Sequence, residues 1–304
     1  MEKHDELIKA LGALTHDPLA FVYFAYPWGE PGTPLENMEG PDEWQIQILK
    51  DIGEQLKKGK SLQTAIQEAV ASGHGIGKSA LISWLIHFAI STHENTRGVV
   101  TANTEGQLRT KTWPELSKWH NMFIAKDLFT YTATAIFSSD KDYEKTWRID
   151  AIPWSKNSPE SFAGLHNQGN RILVLFDEAS AIDDVIWEVT EGALTDANTE
   201  IIWCAFGNPT RNSGRFRECF RKYRKFWNTY QIDSRTVKIS NKAKIEEWLE
   251  AYGEDSDFFK VRVRGVFPSA SDLQFISTEI ADKAQKQSYK LGAFDHLPVI
   301  IGVD

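Results

Sequence analysis

A glycine-rich segment, residues 72–79, has the composition of a phosphate-binding loop. It reads Ser-Gly-His-Gly-Ile-Gly-Lys-Ser and lies between a strand-like run, 66–71, and an apolar helical run, 80–90. Glycines let backbone N–H groups turn toward anionic oxygens, and the start of a helix adds the positive end of its dipole. We predict that Lys78 reaches the β- and γ-phosphates of a nucleotide and that Ser79 holds Mg²⁺.

The segment departs from the strict G-x-x-x-x-G-K-[ST] pattern at one position, because Ser72 stands where the first glycine is expected. A glycine loop that only caps a helix, with no ligand, is the alternative. The residues predicted to contact the nucleotide here are Ser72, Gly73, His74, Gly75, Ile76, Gly77, Lys78, Ser79 and Ala80.

A second signal is the apolar run 171–176, which ends in Asp177 and Glu178. Such a run predicts a strand buried on both faces, as in a parallel sheet, and ligands bind at the carboxyl ends of such strands. Asp177 can hold Mg²⁺, while Glu178 can polarise a water for attack on the γ-phosphate. A strand that ends in a solvated acidic turn is the simpler alternative. Together, the two signals favour a site that hydrolyses ATP, between Lys78 and the paired acids at the tips of adjacent strands.

Two further side chains are candidates for this site. Asn208 follows another buried strand, 199–206, and is predicted to sense the γ-phosphate. The alternative is that it only forms an Asn-Pro turn. Gln45 lies near the start of a helix, where its amide can both donate to and accept from an adenine edge. Trp44 packs either on the nucleotide or, in an ordinary amphipathic helix, in the core.

Composition limits the class of protein. The sequence has 304 residues and a hydrophobic share of 41%, enough for one large domain or two. No run is long enough to span a membrane, and the acidic N-terminus lacks the parts of a signal peptide, so we predict a soluble intracellular protein. Cys204 and Cys219 have no metal or redox spacing. Because the net charge is −8, nucleic acid must contact a local basic patch.

The remaining elements follow from periodicity. Residues 1–60 are predicted to be helical and irregular, 61–235 to form the core with strands at 97–103, 130–137, 146–152 and 226–232, and 236–270 to form a small helical lid. Pro114 is expected to kink or restart a helix over 104–122. Residues 211–225 carry seven cations and can contact DNA phosphates, or else form a solvated helix face.

These motifs, in this order, resemble the large terminase subunit of tailed bacteriophages, an ATPase and nuclease that packages viral DNA. The resemblance covers Gln45, the loop 72–79, Asp177 with Glu178, the segment 207–209 and the segment 265–268. It implies an α/β P-loop NTPase fold of the ASCE type, with three layers, a central mostly parallel sheet, an additional strand between the two nucleotide motifs, and a helical lid.

The resemblance also implies function. Glu178, Lys78 and Asn208 would be catalytic, ATP and Mg²⁺ the ligands, and double-stranded DNA, the portal protein and the small terminase subunit the partners. A homo-oligomeric ring on the portal and a location in the host cytoplasm would follow, with no membrane contact. A helicase or translocase of the same class, or a nucleotide-gated assembly module with little turnover, are the alternatives.

The resemblance also implies a further domain at the end of the sequence and a catalytic arginine. Residues 271–304 are expected to be a linker and the first strand of an RNase H-like nuclease that the sequence does not complete. Asp304 would then be a metal ligand without its acidic partners, and no nuclease activity is expected.

His74 stands where many members of the family have an arginine. Arg109, Arg211 and Arg215 are the candidates for a catalytic arginine.

Overall fold

The computed structural model describes residues 2–59, 62, 64–102, 104–154, 165–269 and 278–288. It divides into two compact units, Met1–Pro268 and Ser269–Asp304. The described part of the second unit contains helix α11 (Thr278–Gln285), and all other elements belong to the first. No helix in the described ranges is long and apolar enough to cross a membrane.

One eight-stranded sheet organises the first unit, in the order β3-β4-β5-β2-β6-β7-β1-β8. All neighbouring strands from β5 to β8 in this order are parallel, while β3 and β4 form an antiparallel edge. The strands are β1 (Ile66–Ser72), β2 (Arg97–Thr101), β3 (Phe129–Tyr131), β4 (Ala135–Ser138), β5 (Arg148–Ala151), β6 (Arg171–Phe176), β7 (Glu200–Gly207) and β8 (Asn228–Ile232).

Helices cover both faces of the sheet. The helices of the first unit are α1 (Glu2–Ala13), α2 (Pro18–Ala25), α3 (Glu43–Lys57), α4 (Lys78–Thr92), α5 (Glu105–Gln107), α6 (Trp113–Met122), α7 (Asp184–Ala193), α8 (Arg215–Cys219), α9 (Lys242–Tyr252) and α10 (Asp257–Phe259). A π-helical turn, Leu108–Thr112, joins α5 to α6, and a second one, Lys260–Arg264, follows α10.

Side chains of the central strand β6 point alternately into two hydrophobic cores, one on each face of the sheet. Leu173 and Leu175 belong to the core shared with α1 to α4 and α6, whereas Val174 and Phe176 belong to the core shared with α7 and α8. Because side chains of a strand point alternately to opposite faces, a fully apolar run requires cover on both sides. Residues 172–176 are all buried, as their apolar composition predicts, and Arg171 is buried as well, paired with Glu200 at 2.6 Å.

Two sequence expectations about the sheet are wrong. Residues 130–137 do not form one strand, since the backbone N–H of Ala135 donates to Thr132 Oγ1 at 3.1 Å and Thr132 Oγ1 donates to the Ala135 carbonyl at 3.0 Å. These bonds fold the segment into the β3–β4 hairpin, because a threonine hydroxyl can replace strand pairing with a local turn. In addition, β1 and β6 are not adjacent, because β7 lies between them.

The lid region packs around its own small core. Ile245, Phe259 and Val263 are buried together, with Trp248 and Leu249 against them. The helix predicted over 104–122 is interrupted before Pro114 by the π-helical turn and restarts as α6 at Trp113, with the proline in its first turn. A proline is tolerated there because the first N–H groups of a helix have no partner within it.

A buried carboxyl beneath the phosphate loop joins three elements. Glu68 of β1 accepts hydrogen bonds from Gln55 of α3 at 2.8 Å and from Asn228 of β8 at 3.1 Å. Burial raises the pKa of this carboxyl to about 7, and the hydrogen bonds only partly oppose that effect. Near neutral pH the folded protein therefore retains part of a proton that an exposed glutamate would have lost.

We expect Glu68 to make the stability of the fold decrease with rising pH. The folded state binds the proton more tightly than the unfolded state, so the stabilisation is complete below pH 4.5 and is lost as the pH passes through about 7. Glu68→Gln should remove up to about 3 kcal/mol of this pH dependence. Urea unfolding at pH 5, 6.5 and 8 measures it, with the exposed Glu54→Gln as control. A difference between wild type and Glu68→Gln that stays constant with pH would contradict the prediction.

Candidate active site

The predicted phosphate loop connects β1 directly to α4. The strand ends at Ser72 and the helix begins at Lys78. Gly75 and Gly77 have φ angles of 69° and 85°, in the left-handed region that favours glycine. The loop thus delivers the unpaired N–H groups at the start of α4 to the carboxyl edge of the sheet.

Lys78 connects the loop to the neighbouring strand. Its Nζ donates to Ser72 Oγ and to Asn208 Oδ1, both at 3.3 Å. Asn208 follows β7, and its Nδ2 donates to the Ser72 carbonyl at 2.6 Å. The serine that replaces the expected glycine therefore has a structural use, because its hydroxyl helps to position the lysine.

The paired acids lie at the same edge, one strand further along. Asp177 is buried, and its Oδ2 accepts a hydrogen bond from Thr112 Oγ1 at 2.6 Å. Glu178 has a φ of 53°, which a non-glycine residue adopts only at a cost of about 1–3 kcal/mol. Its side chain makes no hydrogen bond or ion pair within the described ranges. The turn thus fixes Asp177 and leaves the carboxylate of Glu178 available.

The electrostatics of these groups are coupled. Burial lowers the pKa of Lys78, although the charges of Glu178 and Asp177 oppose this effect. Burial raises the pKa of Asp177, and the neighbouring charge of Glu178 adds to the increase. Desolvation, assisted by the charges of Lys78, Arg262 and Lys111, lowers the pKa of His74 to about 4. His74 is therefore neutral at pH 7, unlike an arginine in its place.

A cavity of about 900 Å³ opens over this edge of the sheet. Its volume lies near the upper end of the range for small-molecule sites. Most of the predicted residues line it: Gln45, His74, Gly75, Ile76, Gly77, Lys78, Ser79, Ala80, Asp177, Glu178 and Asn208. Ser72 and Gly73 do not, because Ser72 is fully buried and Gly73 lies against the lid.

Gln45 lines the cavity with an amide that already has protein partners. Its Oε1 accepts from the N–H of Asp42 at 2.8 Å, and its Nε2 donates to the carbonyl of Gly77 at 3.1 Å. The residue therefore links the start of α3 to the phosphate loop. Trp44 does not line the cavity and lies in the hydrophobic core, which is the second of its two predicted placements.

None of the three candidate arginines lines the cavity. Arg109 pairs with Glu105 at 3.0 Å. Arg215 pairs with Glu191 and lies 3.9 Å from the ring centre of Tyr223. Arg211 is exposed, and its backbone N–H donates to Ser180 Oγ at 3.2 Å.

Sequence reasoning missed the residues that connect the site to distant parts of the chain. Thr112 holds Asp177, although 65 residues separate them. After β8, Ser234 Oγ donates to the His74 carbonyl at 2.8 Å, and the His74 N–H donates to the carbonyl of Arg262, in the predicted lid, at 2.7 Å. These are isolated residues without a motif, so only the interruption before Pro114 could have drawn attention to Thr112.

Comparisons with known proteins show what this chain is similar to in sequence and in fold. No model of a known protein family matches the chain. A protein of Enterobacteria phage P7, described as a probable terminase large subunit, is 25% identical over 237 residues, which cover 73% of this chain and 47% of that protein. The chain is similar to terminase large subunits. It spans about half the length of the relatives that it matches.

Solved terminase structures share the fold. The large terminase of the thermophilic bacteriophage D6E in complex with ADP gives a TM-score of 0.55 at 13% identity, covering 75% of this chain and 54% of that one. The HK97 bacteriophage large terminase gives 0.51 at 14% identity, covering 90% and 51%. The predicted α/β fold of P-loop NTPases is confirmed, and β7 is the additional strand between the loop strand and the acidic strand.

The site has oxygen donors that fit Mg²⁺. The Asp177 carboxylate and the Ser79 hydroxyl both line the cavity. Mg²⁺ is usually held by one or two carboxylates together with substrate phosphates and water, so a larger protein cluster is not needed. Indeed, the described residues contain no group of three or more His, Cys, Asp or Glu that could hold a metal. Asp304, the third predicted ligand, lies outside the described residues.

Gly73 is predicted to be essential for the contact between the loop and the lid of this terminase-like unit. A Cβ at this position would come within 2.2 Å of Ser234 Oγ and 2.3 Å of the Val263 carbonyl. Gly73→Ala should therefore push the lid segment away and lower the unfolding temperature by several degrees, since about 1–3 kcal/mol is typical of overpacking. Differential scanning calorimetry measures the change, and Gly12→Ala is the control, because a Cβ there meets nothing within 4 Å and Gly12, like Gly73, has no positive φ. An equal change in both variants would contradict the prediction.

Proposed function

We propose that the chain is the ATPase motor domain of a terminase large subunit, which hydrolyses ATP to translocate double-stranded DNA into a procapsid. The observation that carries the proposal is the convergence of three separate sequence segments around one cavity. Lys78, Asn208 and the pair Asp177–Glu178 come from three strand ends and meet at the carboxyl edge of the sheet. Ligands bind at this edge in open α/β sheets.

Each group has a distinct role in phosphoryl transfer. The Lys78 ammonium would neutralise charge on the transferring group, and Glu178 would orient the attacking water and accept its proton. Mg²⁺, held by Ser79 and Asp177, would supply charge neutralisation at the phosphate oxygens when bound. Positioning and electrostatics of this kind need no covalent intermediate.

Asn208 is proposed to report the state of the γ-phosphate. Its amide contacts both Lys78 and the backbone of the loop, so a change at the phosphate reaches the end of β7 directly. The loop in turn is bonded through His74 to Ser234 and, in the predicted lid, to Arg262. Hydrolysis would then bias the lid through these hydrogen bonds.

The segment 211–225 supports the DNA part of the proposal. It follows Asn208 in the chain, and five of its cations are exposed: Arg211, Arg221, Lys222, Arg224 and Lys225. Exposed lysines and arginines contact phosphates without reading sequence, as a packaging enzyme needs. The portal protein, the small terminase subunit and a homo-oligomeric ring on the portal belong to the same proposal, by similarity to terminases.

Phosphate release is the experiment that tests the proposed function. The chain should release phosphate from ATP in the presence of Mg²⁺, and double-stranded DNA or a portal ring should increase the rate. Binding of ATP with no release under any of these conditions would instead favour a nucleotide-gated assembly module. Absence of ATP binding would contradict both.

A further inference from the structure

We propose that Lys111 is a second catalytic cation of this site, whose ammonium contacts the γ-phosphate and stabilises the charge that develops there during hydrolysis. The inference rests on the proposed ATPase function. It concerns a residue that lies outside the glycine loop and outside the acidic pair. Three features of the molecule support it: the place of Lys111 in the chain, the surroundings of its side chain, and the lack of another cation for the same task.

The π-helical turn Leu108–Thr112 holds Lys111 beside the acidic strand. The next residue, Thr112, is almost fully buried and donates its hydroxyl to Asp177 at 2.6 Å. That bond holds the turn against the end of β6 and thereby keeps the backbone of Lys111 beside the site. Single π-helical turns within helices occur frequently at functional sites, because the extra residue redirects side chains.

The Lys111 side chain is directed to the cavity and is free to bind an anion. Lys111 lines the cavity together with Lys78 and Glu178. It is exposed and has no hydrogen bond or ion pair within the described part of the chain, whereas Arg109 in the same turn is paired with Glu105. His74, in the phosphate loop, lines the same cavity, and the charge of Lys111 contributes to the lowering of its pKa.

The reaction needs a cation at this position. Charge in phosphoryl transfer spreads over three equatorial oxygens, and Lys78 can contact only part of it. His74 is neutral at pH 7, and none of the candidate arginines lines the cavity. Of the other lysines that line it, Lys118 pairs with Glu115, and Lys238 is anchored by its backbone N–H to Asp42 at the start of α3 rather than to the acidic strand.

Binding of paired nucleotides tests the proposal without requiring turnover. Lys111→Met should weaken binding of ATPγS by roughly tenfold while it changes the affinity for ADP less than twofold, because only ATPγS has a γ-phosphate. Lys111→Arg should restore most of the loss, since the charge is kept. Isothermal titration with Mg²⁺ present measures both affinities, and Lys126→Met, an exposed lysine distant in sequence from the motifs, is the control.

Turnover provides the second measurement. Lys111→Met should lower kcat by roughly 10²-fold, as expected for the loss of one charge-stabilising group. A variant that binds ADP and ATPγS as the wild type does, or loses both equally, would overturn the role of Lys111. If the wild type hydrolyses ATP and Lys111→Met does so at the same rate, only Lys111 is excluded. If the wild type binds neither nucleotide, the proposed function fails as well.

Discussion

Glu178→Gln should bind ATP with nearly the affinity of the wild type and hydrolyse it about 10²- to 10⁴-fold more slowly. The amide keeps the size and the polar contacts of the side chain, but it cannot accept a proton from the attacking water. Binding should persist because the side chain has no partner among the described residues whose loss would disturb the loop. Phosphate release at saturating ATP measures the rate, and titration with ATP measures the affinity.

A matched control separates chemistry from a general effect of charge. Glu188→Gln makes the same change on the exposed face of α7, in the segment that follows the acidic strand. It should leave both rate and affinity unchanged. Undiminished hydrolysis by Glu178→Gln would exclude this carboxylate as the base, whereas a parallel loss in Glu188→Gln would point to net charge instead.

Lys78→Met should differ from Glu178→Gln, because it should reduce both the binding of ATP and the rate of hydrolysis. The ammonium is held by Ser72 and Asn208 at 3.3 Å and is partly desolvated, so its attraction to a phosphate is stronger than that of a surface lysine. We expect ATP to bind roughly 10- to 100-fold more weakly. The rate should fall further, by about 10³-fold or more, because charge also develops in the transition state.

The fold should tolerate the Lys78→Met substitution. Asn208 retains its hydrogen bond to the Ser72 carbonyl at 2.6 Å, so the contact between β7 and the loop does not depend on the lysine. Circular dichroism and thermal unfolding check this point, and Lys58→Met, which changes an exposed lysine at the end of α3, is the control. Unchanged ATP affinity in Lys78→Met would contradict the placement of the phosphates at this loop.

Sequence alone predicts the parts of the site that short segments encode. The glycine loop, the apolar run before Asp177 and the strand before Asn208 each carry their own periodicity, and parallel strands bring their carboxyl ends to one edge. Strand order is different, because it depends on pairing between distant segments. The resemblance, and not periodicity, implied an additional strand between the two nucleotide motifs, and the structure shows that this strand is β7.

Hydrogen bonds between single residues that lie far apart in sequence could not be predicted either. Thr112 and Ser234 are ordinary residues in sequence, and each acquires its role by meeting a loop more than 60 positions away. The same holds for the bond from the Gln45 amide to the Gly77 carbonyl, whereas the contact of this amide with a base stays a prediction. The β3–β4 hairpin was missed because the Thr132 hydroxyl, rather than glycine or proline, forms the turn.

The location of the triphosphate is tested most directly by a crystal structure with ATPγS and Mg²⁺. The γ-phosphate should lie between Lys78 Nζ and the Glu178 carboxylate, with the metal on Ser79 and Asp177. Nucleotide bound elsewhere on the fold, or crystals that remain free of nucleotide at saturating concentration, would contradict the ATPase site proposed for this chain.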